Sequence, residues 1–355
     1  MRLLTAKNIT VQAIINNVAL GQKGGAYNAK FVPIKYYGPV GSGKSSIARQ
    51  AAAEAFEIMG VKEYAFHVVN IAEEAPDDIA GSNYYDEKNG RMVKLKPWWF
   101  PADDQPYGVV FLDEYDQGDK SQQNAGGNIL EERRCGPHKL PAGWVVIAAG
   151  NRKQDRAGTT NNPAQVKDRS LNCEIEIHKE DTLAHANQNG WNDKIKGFLR
   201  FAGDEWLHKF DPDAQSFPTP RSWEKTNTVM TWDLEPEEML QAIASKIGAP
   251  AAAAFNGFCK VFDLVPDIDE LIAKPNEAMV PDTPDVLYAV CAALSSRANA
   301  DNLAAILQYC KRFEQQEFTA MIMRDVRSRV GPLVLKKVPA FREWVMAGGG
   351  KELLV

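Results

Sequence analysis

The 355-residue chain has five cysteines and no CxxC pair. Cys135, Cys173, Cys259, Cys291 and Cys310 leave one over in any pairing, which argues against a disulfide framework and for reduced thiols in a cytosolic compartment. HExxH and GxSxG are both missing, so zinc-peptidase and serine-hydrolase chemistry have no motif here. No zinc site is indicated. The most apolar N-terminal stretch, "ITVQAIINNVAL", is broken by Gln12, Asn16 and Asn17, has no small-residue cleavage site and is too short to span a bilayer. A cytoplasmic protein with no membrane partner is expected. A basic excess is lacking too. Lys and Arg total 41 against 46 Asp and Glu, a net charge of -5, which excludes a surface coated for duplex DNA but not a local basic patch.

What is present is ordinary in bulk: 45% hydrophobic and 25% charged residues, in a chain about twice the usual single-domain length. Two packed units are therefore expected. Residues 1–30 read as a short amphipathic helix and a Gly-rich link. From 31 to 180 the apolar runs "PIKYY", "AFHVV", "YGVVFL", "GWVVIAAG" and "CEIEI" alternate with helical stretches, the pattern of buried parallel strands in an α/β sheet. Helical periodicity dominates afterwards. The proline- and acid-rich "LVPDIDELIAKPNEAMVPDTPD" separates a helical segment, 181–272, from a C-terminal helical extension, 273–355.

The chemistry concentrates in "GPVGSGKSS", residues 38 to 46. Gly38, Gly43, Lys44 and Ser45 fit GxxxxGK[ST] between an expected strand and an expected helix, the context that motif requires. Backbone amides from Gly38, Pro39, Val40, Gly41, Ser42, Gly43 and Ser46 frame the phosphate loop, apart from the proline nitrogen, which has no N–H. Lys44 reaches the β and γ oxygens, and the Ser45 hydroxyl ligates Mg2+. In "VVFLDEYD" a strand carries Asp113 to its end, where it holds the magnesium shell, and Glu114 follows to orient or deprotonate a water. That second acid favours hydrolysis of ATP over phosphoryl transfer to an acceptor. Asn151 closes the next strand with a neutral amide suited to the lytic water or the γ-phosphate. Arg169, at the end of a short helix, can stabilise charge on the transferring phosphoryl group, with a surface salt bridge as the plain alternative. Arg221 opens a helix in "FPTPRSWE" and could reach the γ-phosphate, with a capping or packing role as its alternative.

This order of parts resembles an AAA+ ATPase, in particular the MoxR branch. The resemblance makes Lys44 Walker A, Asp113 and Glu114 Walker B, Asn151 sensor 1, Arg169 the arginine finger and Arg221 sensor 2. It extends to "NGRMVKLKPWWFP", similar to that branch's insert hairpin, to "LEERRCGPHKLPAGW", similar to its hairpin before sensor 1, and to "NRKQDRAG" after sensor 1. It covers Ile34 to Leu234 well and the remainder loosely. One departure is Ser170, where the family places an aromatic after the finger, which keeps Arg156 as a second candidate for acting between subunits. The resemblance implies a parallel five-stranded core in 5-1-4-3-2 order with two inserted hairpins (83–96 and 133–144), an α-helical lid over 181–272, and a homo-oligomeric ring, usually a hexamer. It also implies chaperone-like remodelling of a protein client with a von Willebrand factor A domain partner.

Both hairpins are locally basic on an acidic chain. Lys88, Arg91, Lys94 and Lys96 sit in the first, with "NG" at Asn89 and Gly90 as the turn, and Arg133, Arg134, His138 and Lys139 in the second. They are expected to grip an acidic protein surface, against solvated charges offset by Asp86, Glu87, Glu131 and Glu132. Trp98, Trp99 and Phe100 read as packing at the hairpin base, with a partner patch as the other option. A nucleic-acid ring NTPase, its hairpins tracking a phosphate backbone with strong salt dependence, is the alternative function. A nucleotide kinase is a third, disfavoured by Glu114.

Overall fold

Alternation within the apolar runs decides the architecture of the first unit. The computed structural model describes residues 1–23, 31–152, 170–262, 264–348 and 350, and the chain divides into Met1–Ile177 and His178–Val355. The first unit holds strands β1 (Ile34–Gly38), β2 (Ala65–Asn70), β3 (Asn83–Asp86), β4 (Arg91–Lys94), β5 (Tyr107–Asp113), β6 (Arg134–Cys135), β7 (His138–Lys139), β8 (Gly143–Asn151) and β9 (Leu171–Glu174). Five of these form one parallel sheet in the order β2-β5-β8-β1-β9. Counted along the chain, that is the 5-1-4-3-2 order expected from the sequence.

Successive residues of a strand face opposite sides, so each central strand feeds two cores. Tyr36, Val109, Phe111, Val145, Ile147 and Ala149 share one core with the alanine face of α2 (Lys44–Ile58) and with α1 (Leu3–Gln22). Val110, Leu112, Val146 and Ala148 share the other with Trp99, Tyr115, Ile129 and Leu130, beneath α4 (Lys120–Glu132); the short α3 (Pro76–Ala80) adds Ile79 to it. The alanines Ala48, Ala51, Ala52 and Ala55 are fully buried, and their small side chains bring α2 close to the sheet.

Two boundaries differ from the sequence expectation. The N-terminal helix starts at Leu3, six residues before the apolar run, and buries Ala6, Thr10 and Val11 in the first core, with the Thr10 and Tyr36 hydroxyls hydrogen-bonded. The last core strand starts at Leu171 rather than Cys173, because pairing begins at Ile34↔Leu171. The polar Asn172 reads as loop in sequence, yet on an edge strand its side chain stays exposed.

Among its described residues the second unit has helices joined by turns and loops, and no strand. Phe198, Trp223, Phe255 and Phe258 make an aromatic cluster with centroid spacings of 5.4 to 5.7 Å. Further along the chain, residues from Ile268 to Val345 build a separate apolar core. Between the helices Lys179–Gln188, Asp193–Phe201, Pro284–Arg297 and Glu317–Val330, the buried Asp325 accepts from Asn187 Nδ2 at 3.1 Å, Ser295 Oγ at 3.4 Å and the Arg200 guanidinium.

Two predictions follow from this burial. Asp325→Ala leaves the Arg200 charge buried without its carboxylate, and should destabilise the second unit by about 3–5 kcal/mol, read as a fall in its unfolding midpoint in urea. Burial also pushes the Cys135 and Cys173 thiols from 9 up to about 11. Because the folded state favours the neutral thiol, this contribution to stability is complete below pH 9 and is lost as pH rises from 9 towards 11. Urea unfolding of a Cys135→Ser, Cys173→Ser variant should lack that part of the alkaline decline.

Candidate nucleotide site

Parallel pairing puts the C-terminal ends of β1, β5 and β8 on one edge of the sheet, where ligands of open α/β sheets bind. Gly38 ends β1, Asp113 ends β5 and Asn151 ends β8, with Gly38 and Asn151 directly paired in register. The loop from Gly38 turns through Gly41 at φ 74° and Gly43 at φ 90°, left-handed positions that side-chain-bearing residues adopt with strain. α2 starts at Lys44, so its free backbone amides face back into the loop.

Lys44 is buried, and its Nζ donates to the carbonyls of Gly38 and Pro39 and to Asn151 Oδ1, each at 2.9 Å. The Ser45 hydroxyl donates to Asp113 Oδ2 at 2.9 Å, and the Glu114 amide donates to Asp113 Oδ1 at 2.9 Å. Glu114 itself is left-handed (φ 51°, ψ 30°), one of two described non-glycine residues with positive φ. Such a backbone costs about 1–3 kcal/mol and persists only where the surroundings impose it. Here it turns the chain sharply after Asp113 and leaves the Glu114 side chain half-exposed at the sheet edge.

The donor set fits a magnesium nucleotide. Ser42 Oγ is buried in the loop without a hydrogen-bond partner, a donor lacking its acceptor. A Cβ on Gly38 would come within 3.0 Å of the Ile175 carbonyl and 3.2 Å of that hydroxyl, so the loop's path depends on glycine there. Val40 is half-buried and Ser46 exposed at the first turn of α2. Ser45 and Asp113, already touching, are oxygen donors of the kind that hold magnesium through one or two protein ligands and waters.

Other expected residues stand differently. Arg156 and Arg169 lie outside the described residues. Arg221, in the second unit, is exposed on the first turn of a helix capped by Thr219, whose Oγ1 accepts from the Ser222 amide at 3.0 Å. Arg133 is a correction to the basic-hairpin expectation. It is 2% exposed, caps α4 in a left-handed conformation, and its guanidinium donates to the carbonyls of Pro141, Ala142 and Trp144. His138 is half-buried, with its ring nitrogen against the Lys94 carbonyl at 2.6 Å. Lys88, Arg91, Lys96, Arg134 and Lys139 are exposed, and Lys94 is half-buried. The tryptophan pair divides: Trp99 is fully buried and donates to the Ile79 carbonyl, whereas Trp98 is 64% exposed. Tyr84, Tyr85 and Met92 are also exposed on the first hairpin.

Asn70 is absent from the sequence reading. It ends β2 in register with Asp113 and adds an amide to the same edge. The available signal was a polar residue closing the run "AFHVVN", the same signal that singled out Asn151.

Gly43→Ala tests the loop. The position has room for a methyl group but a φ of 90°, so the strain of about 1–2 kcal/mol falls on the loop, and nucleotide affinity measured by calorimetry should drop about tenfold. Gly60→Ala, at φ 71° beyond the far end of α2, should lower stability and leave affinity unchanged.

Several solved structures match the chain at low identity. A mutant RuvB of Thermotoga maritima is 14% identical, covering 85% of this chain and 88% of that one, with a TM-score of 0.39. NtrX from Brucella abortus in complex with ADP is 15% identical, covering 99% and 69%, with a TM-score of 0.37. PCH-2 of C. elegans is 14% identical, covering 72% and 68%, with a TM-score of 0.33. No curated protein matches the sequence. The family model described as "ATPase family associated with various cellular activities (AAA)" matches residues 34–161, from the first core strand past Asn151.

Proposed function

We propose that the protein hydrolyses Mg-ATP and uses the energy to remodel, assemble or activate a protein client. The observation that carries this reading is the convergence of Lys44, Ser45, Asp113, Glu114 and Asn151 at the ends of three adjacent parallel strands. Lys44 exchanges its carbonyl partners for phosphate oxygens, and Ser45 and Asp113 hold the metal. Bound magnesium supplies Lewis acidity, drawing charge from the phosphate oxygens. Glu114 accepts a proton from water as the water oxygen bonds to the γ-phosphorus and the bridging P–O bond breaks, releasing ADP and phosphate. Asn151 orients the water or the γ-phosphate.

Arg169, or Arg156, completes the site of a neighbouring subunit in a ring of six in this reading, and Arg221 senses the γ-phosphate from a lid formed by 181–272. Residues 273–355 form an extension to that lid. The exposed Lys88, Arg91 and Lys96 of the first hairpin contact the client, assisted by a partner with a von Willebrand factor A domain, in accord with the MoxR-like sequence pattern. A second reading is favoured by one observation: exposed Tyr84, Tyr85 and Trp98 flank those cations along the chain, a mix of aromatic and basic residues like that of surfaces that stack single-stranded nucleic acid. Among the described residues no helix is long and apolar enough to cross a membrane.

Glu114→Gln should lower ATP turnover by at least ~100-fold while preserving ATP binding, and so trap the assembly with its client. Capture from lysate with ATP, with and without nuclease, separates the readings. A nuclease-resistant protein supports remodelling; loss of every partner on nuclease treatment supports the nucleic-acid reading. Unchanged turnover in Glu114→Gln would overturn the hydrolytic assignment.

A further inference from the structure

A lysine is the second residue of the strand that feeds the phosphate loop, in register with Ala148 of β8 and Asn172 of β9. Lys35 has no solvent exposure, and Asp116 is 2% exposed. Lys35 Nζ meets Asp116 Oδ1 at 2.8 Å and lies 4.1 Å from the centroid of the Tyr115 ring and 4.7 Å from that of Tyr37. Burying two charges costs several kcal/mol each, and a pair of apolar residues of similar volume often serves stability as well. The retention of an ion pair here is therefore not accounted for by stability alone.

Its location supplies another account. Asp116 belongs to the 3-10 turn Tyr115–Gln117 immediately after Glu114, and the Tyr115 hydroxyl fastens that turn to the Gln123 carbonyl at 2.6 Å. The second carboxylate oxygen, Asp116 Oδ2, has no hydrogen-bond partner and is pressed against Gly150, where a Cβ would lie only 1.6 Å away. Gly150 precedes Asn151, the partner of Lys44. Three residues along β1, about 10 Å from Lys35, is Gly38, where the phosphate loop begins. One buried carboxylate is thus held between the strand that enters the phosphate loop and the strand that ends at Asn151. The turn it belongs to fixes the left-handed Glu114.

We infer that Lys35 and Asp116 are positioning residues for hydrolysis: the buried pair sets the backbone turn that aims the Glu114 carboxylate, while contributing nothing to nucleotide binding. This rests on the reading of Glu114 as the base. Neither residue touches the Lys44 or Ser45 contacts described above. The unpartnered oxygen, wedged against a glycine, makes the geometry intolerant of any side chain at position 150.

The test uses the full chain and three variants. In Lys35→Met, Asp116→Leu both charges go together, so fold stability should remain near that of the parent while kcat falls about 10- to 100-fold, with ATP affinity and KM unchanged. Gly150→Ala removes neither charge but displaces Asp116, and should give the same selective loss of kcat. Lys35→Met alone should lose both stability and kcat. A folded double variant or a folded Gly150→Ala protein with parental kcat would overturn the inference, as would a KM increase equal to the kcat loss. Should the double variant not fold, Gly150→Ala decides. Glu114→Gln, run in parallel, separates the two failures: if it turns over ATP like the parent, the hydrolytic assignment fails, whereas its inactivity beside fully active positioning variants condemns only the role of Lys35 and Asp116.

Discussion

Parallel register is the constraint on which the rest of the first unit depends. A parallel sheet collects the carboxyl ends of its strands on one edge, and the pairing Gly38↔Asn151 places the phosphate loop beside the amide that ends β8. Asn70↔Asp113 does the same one strand pair further out. Slipping any strand by one residue would exchange its two faces and bury the wrong side chains. The two apolar cores therefore fix the polar edge: Val109 and Phe111 on one side, with Val110 and Leu112 on the other, determine where Asp113 emerges.

The glycines and the charges at that edge work against each other in a controlled way. Gly41 and Gly43 allow the loop to turn its amides inwards, whereas Glu114 takes up a left-handed backbone without glycine's freedom. Strain at the proposed base is tolerated because its neighbours are immobilised on both sides: Asp113 through Ser45, and Tyr115 through Gln123. The Gly38 and Pro39 carbonyls and the Asn151 side-chain oxygen keep the buried Lys44 ammonium satisfied.

Much of this was legible in the sequence for a physical reason. The phosphate loop, the strand ending at Asp113 and the strand ending at Asn151 are local patterns, with apolar runs closed by a polar residue. What the sequence did not disclose depends on which of two adjacent, chemically alike residues faces inwards. Arg133 and Arg134 are indistinguishable in "LEERRCG", yet the left-handed cap at the first turns its guanidinium into the protein while the second stays exposed and pairs with Glu132. Trp98 and Trp99 divide in the same way: both lie in a turn after β4, and only Trp99 is buried, where its indole donates to the Ile79 carbonyl. Lys35 gives no local signal at all. Its partner is 81 residues away, and only the sheet brings them together.

The Arg133 cap also has a mechanical meaning. β6 and β7 form a small ribbon whose stem is closed by the Leu140 amide bonded to the Arg133 carbonyl at 2.8 Å. The guanidinium of the same residue grasps three carbonyls where the chain enters β8, and its face lies 4.4 Å from the centroid of the Phe31 ring just before β1. A pull at the ribbon's tip is thus resisted by one rivet that joins α4 to the starts of two central strands. Those strands end at Asn151 and Gly38 on the opposite edge. The ribbon therefore leads to Asn151 along the continuous chain of β8, and is tied to the strand that ends at Gly38 through the Arg133 guanidinium and the Phe31 ring.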